Sequence, residues 1–298
     1  MRIGTRGSAL ALAQAGQVAE LLGDSEIVPF VTRGDRGVAS EDKSRWVLEL
    51  EDALRSGEID LAVHSAKDVP GELADGLSLL GSPARASAQD VLCGADGLDG
   101  LVAGALVATS SVRRISQLRS AREDLEVVAV RGNVDTRLRK LAEGEFDAIV
   151  LARAGLQRLG RESEVGSVLD PQSFVPAPGQ GTLALEGRTE DERVRGDVGE
   201  INDSEAFACL LAERALARAL GASCNTPLGA WAVPAPAGRL HMRAWVGLPD
   251  GSAWCGDELL GEARDPEALG GNVAARLKLA GAGEMLRRAE EMARVGTA

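Results

Sequence analysis

The sequence of 298 residues contains no tyrosine, and aromatic residues make up only 3% of it. Stacking of nucleic-acid bases on aromatic side chains is therefore not expected. Basic residues are also in the minority, since 33 lysines and arginines against 45 acidic residues give a formal net charge of −12. Nucleic acids bind to positively charged surfaces, so this balance argues against a nucleic-acid partner.

Metal-binding and membrane-spanning patterns are missing as well. The two histidines and four cysteines include no CxxC pair, so we expect no metal site and interpret the cysteines as free thiols in a reducing compartment. No apolar run is long enough to cross a bilayer, and Arg2 leads directly into a strand-like run without a signal-peptide pattern. We therefore expect a cytoplasmic protein without a membrane partner.

Strands alternate with helices over the first two thirds of the chain, which predicts α/β domains with a mainly parallel sheet. The first set of predicted strands covers residues 2–4, 26–32 and 59–63, with helices ending near residue 22 and running from about 46 to 56. The second set covers residues 106–108, 127–130 and 147–152, each followed by a helix. The loop 176–181 is predicted to cross between domains.

A third region begins with a helix capped by Asp203 or Ser204 and ended by Gly221. Strand-like runs over residues 240–246 and from 253 onward follow, and two helices close the chain, which indicates a small α+β domain. The predicted domains are residues 1–84 with 181–200, residues 85–177, and residues 203–298.

Arginine is concentrated in the second α/β region, where residues 109–140 hold seven arginines and one lysine against four acids. Several stand at helix starts, where free backbone N–H groups and the helix dipole favour an anion. A single arginine is more often part of a solvated helix face, but the whole set favours a polyanion cleft. Spacing does not distinguish carboxylate from phosphate. The arginines that converge if the two α/β domains face each other are Arg6, Arg113, Arg114, Arg131 and Arg137.

Lys67 and Asp68 follow a buried strand, at the end where open α/β sheets bind ligands. A carboxylate there, beside several cations, stays ionised and stabilises a cationic intermediate. The alternative is a turn carboxylate that caps the next segment. Cys224, judged by spacing alone, is a structural or incidental thiol. The residues by themselves thus indicate a two-lobed cleft for a small polyanion, with one buried carboxylate.

Motifs along nearly the whole chain resemble the porphobilinogen deaminase family. In order, they are Arg2-Ile3-Gly4-Thr5-Arg6-Gly7-Ser8, Thr32-Arg33-Gly34-Asp35, Asp60-Leu61-Ala62-Val63-His64-Ser65-Ala66-Lys67-Asp68-Val69-Pro70, Thr109-Ser110-Ser111-Val112-Arg113-Arg114, Arg131-Gly132-Asn133-Val134-Asp135-Thr136-Arg137-Leu138, Pro178-Gly179-Gln180-Gly181, and Cys224 followed by Pro227-Leu228-Gly229. So many motifs in this order are very specific. The resemblance implies two periplasmic-binding-protein-like α/β domains with mixed sheets, and a small α+β C-terminal domain with an antiparallel sheet.

The resemblance also implies a function. Members of the family condense four porphobilinogen molecules head to tail with loss of ammonia, and hydrolysis then releases hydroxymethylbilane for tetrapyrrole and haem biosynthesis. The growing chain is attached to a dipyrromethane cofactor, one per protein chain, which is held by a thioether on the residue matching Cys224. The catalytic aspartate matches Asp68, and family precedent is a monomer.

Two sets of binding residues follow from motif position. The cofactor-binding set is Cys224, Asp68, Lys67, Ser65, Thr109, Ser111, Arg113 and Arg114. The substrate-binding set is Arg6, Arg131, Arg137, Arg158, Gln180 and Lys43. Each pyrrole carries an acetate and a propionate, which accounts for so many cations in one cleft.

Two segments depart from the family pattern. In the segment that corresponds to a mobile lid, Lys43 is kept, but Ser44 replaces a glycine and Leu48 replaces a lysine. Ala222-Ser223 replace the glycine pair before the cofactor cysteine, which costs about 1 kcal/mol or more where a glycine has positive φ.

These departures leave room for a divergent, inactive paralogue. A second alternative is a non-catalytic, two-lobed binding protein for a carboxylated small molecule. Cys224 and the Lys67-Asp68 pair argue against a pure binding protein, because such a protein needs neither a thioether anchor nor an aspartate at the reacting ring.

Overall fold

The computed structural model describes residues 1–32, 47–223 and 225–295. Within these ranges the strands are β1 (Arg2–Arg6), β2 (Glu26–Phe30), β3 (Leu61–Ser65), β4 (Leu77–Gly81), β5 (Asp90–Cys93), β6 (Leu106–Ala108), β7 (Glu126–Val128), β8 (Ala148–Ala152), β9 (Ser167–Val168), β10 (Leu183–Arg188), β11 (Leu228–Ala235), β12 (Arg239–Gly247) and β13 (Trp254–Glu262). The helices are α1 (Ala9–Leu22), α2 (Leu48–Ser56), α3 (Val112–Ala121), α4 (Val134–Ala142), α5 (Arg153–Arg158), α6 (Glu192–Ile201), α7 (Ser204–Ala219), α8 (Pro266–Leu279) and α9 (Ala282–Val295).

The first sheet has the strand order β2-β1-β3-β10-β4. Strand β1 pairs in parallel with β2 and β3, whereas β10 pairs antiparallel with both β3 and β4. Four of the five strands thus share one direction, as expected for a mainly parallel sheet, and β10 makes the sheet mixed because the chain returns through it in the opposite direction. The mixed sheet implied by the family resemblance is confirmed.

Burial on both faces makes β3 the centre of the first sheet. Leu61, Ala62 and Val63 are at most 3% exposed, and such a continuous apolar run is typical of a strand covered by helices on both sides. Leu61 and Val63 belong to the apolar cluster that includes residues of α1, while Ala62 belongs to the cluster that includes residues of α2. The predicted strand at residues 59–63 is present, shifted by two residues.

The second sheet repeats this arrangement with the order β7-β6-β8-β5-β9. Strand β6 pairs in parallel with β7 and β8, and β5 pairs antiparallel with β8 and β9. Alternate residues of β8 pack into different clusters, with Val150 on one face and Ile149 on the other. Helix α3 follows β6 after three residues, so its first turn lies at the carboxyl end of that strand.

The third sheet is antiparallel, with the order β11-β12-β13. Asp203 caps α7 by accepting hydrogen bonds from two backbone N–H groups at 2.9 and 3.0 Å, which confirms one of the two predicted caps. Strand β11 was not predicted, because its alanines and Pro234 give a weak strand pattern. Proline is tolerated there because β11 is an edge strand.

A buried ion pair joins the three sheets near the loop 176–182. Arg85 donates to the Glu213 carboxylate on α7 at 2.7 and 3.2 Å and to the Gln180 carbonyl at 3.0 and 2.9 Å. Glu213 is fully buried and also accepts from the backbone N–H groups of Gly179 and Ala232, at 2.6 and 2.8 Å. The loop predicted to cross between domains is thus tied to α7 and β11 through Glu213.

Candidate active site

Lys67 and Asp68 lie in a one-turn 3-10 helix (Ala66–Asp68) directly after β3. The Ala66 N–H donates to the Thr182 carbonyl at 3.0 Å, and the Val69 N–H closes the turn on the Ala66 carbonyl at 3.2 Å. Because β3 is buried along its length and ends at this turn, the two polar side chains are placed at the carboxyl edge of the first sheet.

Gly179 packs against this turn. A Cβ atom at Gly179 would lie 3.0 Å from backbone atoms of Ala66 and Lys67, and its φ of +76° is one that side-chain-bearing residues rarely adopt. The glycine of the Pro178-Gly179-Gln180-Gly181 motif therefore lets the loop approach the Asp68 turn closely.

Arg113 and Arg114 occupy the first turn of α3 and are only 3% and 6% exposed. Both are paired with Asp90, the first residue of β5, which is fully buried. Its Oδ1 accepts from Arg114 Nε at 3.0 Å and Nη2 at 2.6 Å, and its Oδ2 lies 2.8 Å from Arg113 Nη1. Arg113 also donates to the Val175 carbonyl at 2.8 Å and lies over the Phe174 ring.

The charges of this cluster shift two pKa values. Burial alone would raise the pKa of Asp90, but Arg113 and Arg114 outweigh it and lower that pKa to about 2. Burial, reinforced by the same two arginines, lowers the pKa of Lys67 to about 8, although Asp68 and Asp90 oppose that change. Lys67 is thus an amine that titrates close to neutral pH.

The side chains of Lys67, Arg113 and Arg114 line a cavity of about 410 Å³ between the sheets, a volume within the range of small-molecule sites. Lys67 and Asp68 enter from the first sheet, Arg113 and Arg114 from α3, and Arg137 from α4. Burial lowers the pKa of Arg137, as does the nearby Arg114, and its Nε donates to the Gly132 carbonyl at 2.8 Å. Of the five arginines predicted to converge, Arg113, Arg114 and Arg137 line this cavity, where Lys67 is a further cation.

Arg6 and Ser65 line a smaller cavity of about 50 Å³, which Asp68 also borders. Asp68 therefore stands between the two cavities, with the main group of cations on one side and Arg6 on the other.

Two predicted polar contacts lie at the start of α3. Ser111 is the N-cap residue, yet its side chain makes no capping hydrogen bond, and it lines the main cavity. Thr109 is 1% exposed, and its Oγ1 accepts from the Ser111 N–H at 3.3 Å. Ser110, which was not predicted, also lines the cavity, and its Oγ donates to the Val130 carbonyl at 2.6 Å.

Of the remaining predicted substrate contacts, Gln180 lines the main cavity, whereas Arg158 and Arg131 do not. Gln180 is 1% exposed, and its amide nitrogen donates to the Ala88 carbonyl at 2.7 Å and to Asp90 Oδ1 at 2.9 Å. Arg158 donates to the Gly181 carbonyl at 2.8 Å and does not line the two cavities above. Arg131 is exposed in the loop before α4 and lines neither cavity.

Lys43, Ser44 and Cys224 lie outside the described residues. The neighbours of Cys224 are informative, since Ala222, Ser223 and Thr226 all line the main cavity.

Neither Ala222 nor Ser223 has a positive φ. Among the described non-glycine residues only Ala237 has one. The strain considered for replacing the glycine pair is therefore absent at both positions. Leu48, at the other departure, is the first residue of α2 and is half-buried.

Besides Ser110, sequence reasoning missed two buried charged residues at the site, Arg214 and Asp90. Arg214 on α7 is 8% exposed, lines the main cavity and donates from Nη2 to the Pro70 and Gly71 carbonyls at 2.7 and 2.9 Å. It stands four residues after Leu210, on the apolar stripe of α7, and a charge on such a stripe is the signal that could have found it. Asp90 carried a similar signal, as a lone acid opening a buried strand.

The three cysteines that the structure describes, Cys93, Cys209 and Cys255, are free thiols. Burial raises the pKa of Cys93 to about 11 and that of Cys209 to about 12, and burial also raises the pKa of Cys255. These thiols are poorly suited to act as nucleophiles near neutral pH.

Comparison with known families decides between a deaminase-type site and other polyanion clefts. The family model described as "Porphobilinogen deaminase, dipyromethane cofactor binding domain" matches residues 1–196, and "Porphobilinogen deaminase, C-terminal domain" matches residues 207–279. The chain belongs to the porphobilinogen deaminase family. Its cofactor is the dipyrromethane named in the first description.

Curated relatives of this chain are named porphobilinogen deaminase, which agrees with the family assignment. The porphobilinogen deaminase of Rubrobacter xylanophilus is 45% identical over 295 residues, covering 95% of each chain, and that of Brevibacillus brevis is 41% identical over 298 residues, covering 96% of each. The enzyme of Thermus thermophilus is 42% identical over 95% of this chain and 97% of its own length. Similarity at this level extends over nearly the whole protein.

Solved structures show weaker similarity. The periplasmic VFT2 domain of BvgS from Bordetella pertussis is 21% identical with a TM-score of 0.41, over 67% of this chain and 86% of its own. The methionine-binding protein MetQ is 16% identical with a TM-score of 0.42, over 70% and 89%. At these TM-scores the matches carry no argument about this porphobilinogen deaminase family member.

The described part of the chain contains neither a metal-binding cluster nor a helix suited to a membrane. No group of three or more histidine, cysteine, aspartate or glutamate side chains in the described ranges is arranged to hold a metal ion. Among the helices that the structure describes, none combines the length and apolar character needed to cross a membrane.

Proposed function

We propose that this chain condenses four porphobilinogen molecules onto a dipyrromethane held by Cys224, and that Asp68 is the catalytic residue. The observation that carries the proposal is one cavity that joins Asp68 and Lys67, the Arg113–Arg114 pair, and the residues on both sides of Cys224. A carboxylate, a dense set of cations and a candidate attachment point are the three parts that this reaction needs.

The side chains of the cavity fit a polycarboxylated pyrrole. Arg113 is 3% exposed, and its Nε and Nη2 atoms are buried without a hydrogen-bond partner among the described residues. A buried guanidinium with open N–H groups is costly unless a ligand completes it, and a carboxylate matches its planar fork. In the proposed arrangement Arg113, Arg114, Lys67 and Ser111 hold the cofactor carboxylates.

When bound, the dipyrromethane supplies the free pyrrole α-carbon to which porphobilinogen units are added. Arg6, on the other side of Asp68, and Arg137 are the cations that we assign to the incoming substrate. Their guanidinium groups bind its acetate and propionate and so orient the ring against Asp68.

Asp68 acts on the charge that develops in the substrate. Departure of ammonia breaks the carbon–nitrogen bond of the porphobilinogen aminomethyl group and leaves positive charge spread over the pyrrole ring. The Asp68 carboxylate accepts a hydrogen bond from the pyrrole N–H and stabilises that charge, in a cavity where enclosure strengthens electrostatic interactions.

The intact mass of the purified protein tests this proposal, measured beside the variants Cys224→Ala and Cys255→Ala. We expect the wild type and Cys255→Ala to carry an excess equal to two linked pyrrole units, and Cys224→Ala to lack it. Addition of porphobilinogen is expected to produce a ladder of single-pyrrole steps on the first two proteins, followed by release of hydroxymethylbilane.

A bare-chain mass for the wild type, unchanged after incubation with porphobilinogen or hydroxymethylbilane, contradicts the proposal and supports the binding-protein alternative. A cofactor-loaded wild type that forms no ladder supports the inactive-paralogue alternative. The mutation Asp68→Asn separates binding from catalysis, since it is expected to keep the cofactor mass while abolishing most of the turnover.

We further propose that the protein works as a cytoplasmic monomer and has three domains with the boundaries predicted from the sequence. Its three separate sheets and the family resemblance support this division. Sedimentation at micromolar concentration is expected to give a single chain mass, and hydrogen exchange is expected to give each sheet its own protection level. A stable dimer, or one protection level throughout, contradicts the respective statement.

A further inference from the structure

Asp90 is a fully buried carboxylate that the reaction proposed above does not use. Both of its oxygens are directed to cationic or amide groups, since Oδ1 meets Arg114 and Gln180 while Oδ2 meets Arg113. Arg114 is further tied to the Val150 carbonyl at 2.9 Å. A single carboxylate therefore contacts both arginines at the start of α3.

The arginines keep donors for a ligand because of how Asp90 holds them. Asp90 approaches Arg113 from the Nη1 side, and the Val175 carbonyl accepts from the same Nη1 atom. The Nε and Nη2 atoms of Arg113, a residue that lines the main cavity, are buried without a hydrogen-bond partner among the described residues. Without the carboxylate, two buried guanidinium groups would repel each other and lose this orientation.

Asp90 also connects the arginines to the opposite side of the cavity. Gln180, which donates to Asp90, directly follows Gly179, which packs on the backbone of Ala66 and Lys67. Of two neighbouring loop residues, Gln180 thus contacts Asp90, the counter-charge of Arg113 and Arg114, and Gly179 contacts the Asp68 turn.

We propose that Asp90, together with Gln180, is the positioning group that fixes Arg113 and Arg114 relative to the Asp68 turn. Asp90 does not line the cavity and does not have to touch substrate in this role, whereas Gln180 lines the cavity and the positioning role adds to its predicted substrate contact. The proposal rests on the proposed function only for the identity of the ligand, a pyrrole with two carboxylates.

Asp90 has a second effect, on the charge around Lys67. The groups that face Lys67 are Asp68 from its own turn, Arg113 and Arg114 from α3, and Asp90 from β5, while Arg137 and Arg214 line the same cavity. Asp90 favours the charged form of Lys67, so its neutralisation lowers the pKa of that amine. A change in the pH profile therefore distinguishes a role in the cavity from a purely structural one.

The variants Asp90→Asn and Asp60→Asn test the proposal. Asp60 is a matched control, because it also contacts several arginines, at 2.9 Å from Arg2 and 3.6 Å from Arg193, but borders neither cavity. We expect Asp90→Asn to raise the KM for porphobilinogen at least about ten-fold and to move the alkaline limb of kcat/KM to lower pH. Asp60→Asn is expected to keep the wild-type KM and pH profile.

The variant Gln180→Met provides a second test of the proposal in case Asp90→Asn does not fold. It removes the hydrogen bond to Asp90 without changing any charge, so we expect a KM increase of about five-fold with no shift of the alkaline limb. Circular dichroism on every variant confirms folding before the kinetics are compared.

Equal KM values for wild type, Asp90→Asn and Gln180→Met overturn the proposal. So does a KM change in Asp90→Asn that Asp60→Asn reproduces, since loss of stability would then explain both. If the wild type has no deaminase activity, the proposed function fails, and equilibrium binding of porphobilinogen decides this inference separately. In that measurement Asp90→Asn must bind at least about ten-fold more weakly than Asp60→Asn.

Discussion

Asp90 and Asp60 each serve several arginines, and they differ mainly in their surroundings. The Asp60 side chain is 12% exposed, and its partners Arg2 and Arg193 are 44% and 58% exposed. Asp90 is fully buried, and the side chains of Arg113 and Arg114 are 3% and 8% exposed. Water completes the hydrogen bonds of the exposed arginines, whereas the buried ones depend on protein groups and a ligand.

The comparison shows that a cluster of arginines around one aspartate can have two different roles. At the surface it is an ordinary ion-pair network that contributes little to stability. In the cleft, the same composition leaves the Nε and Nη2 atoms of Arg113 buried without a hydrogen-bond partner among the described residues. Burial and the direction of the open donors, rather than the residue types, make the difference.

The largest expected contrast is in stability. Asp90→Asn leaves two buried guanidinium groups without their counter-charge and should lower the free energy of unfolding by about 3 kcal/mol or more. Asp60→Asn should cost about 1 kcal/mol or less, because solvent screens its partners. Urea unfolding of both variants measures this, and equal losses would remove the distinction between the two clusters.

A somewhat smaller contrast is expected in turnover. Arg113→Leu removes a buried carboxylate donor, and we expect kcat/KM for porphobilinogen to fall about 100-fold. Arg193→Leu changes an exposed partner of Asp60 and should stay within about two-fold of wild type. Steady-state assays of hydroxymethylbilane formation compare them, and a similar loss in both variants would contradict a special role for the buried cluster.

The stabilisation that Asp90 contributes is expected to decrease at acid pH. The pKa of Asp90 is lowered to about 2, from an ordinary value of 3.8, so the unfolded state takes up the proton first as the pH falls. The stabilisation, about 2 kcal/mol, is complete above pH 3.8 and is lost as the pH falls toward 2. The difference in unfolding free energy between wild type and Asp90→Asn is therefore expected to shrink over that interval. A difference independent of pH would contradict it.

The smallest effect is a change in porphobilinogen affinity at alkaline pH. It concerns Lys67, whose pKa is influenced by Asp90. Lys67 has a pKa of about 8, and a bound carboxylate favours its charged form, so porphobilinogen affinity should fall a few-fold as the pH rises above 8. Lys67→Arg should abolish this fall, because a guanidinium stays charged throughout the range. Calorimetric titration from pH 7 to 9 is the measurement, and a fall that persists in Lys67→Arg would exclude Lys67 as its source.

Regular elements with a strong pattern were predictable from the sequence. The apolar strand β3, shifted by two residues, the helix beginning after Asp203 and two helices at the end of the described chain were all predicted and are present. Strand β11 and the antiparallel pairing of β10 were not predictable. A proline-containing edge strand has a weak local pattern, and strand direction depends on where the chain re-enters a sheet.

The amino-acid sequence by itself determined the family, the chemistry available in the cleft and the position of Asp68 at the end of a buried strand. These follow from local patterns and ordered motifs, which do not depend on distant contacts. Tertiary structure alone decided which cations meet, that Asp90 and Arg214 belong to the site, and that Gln180 faces Asp90. Burial and donor direction arise only when segments far apart in the chain pack together, and these two quantities separate an arginine that binds a ligand from one that stabilises a surface.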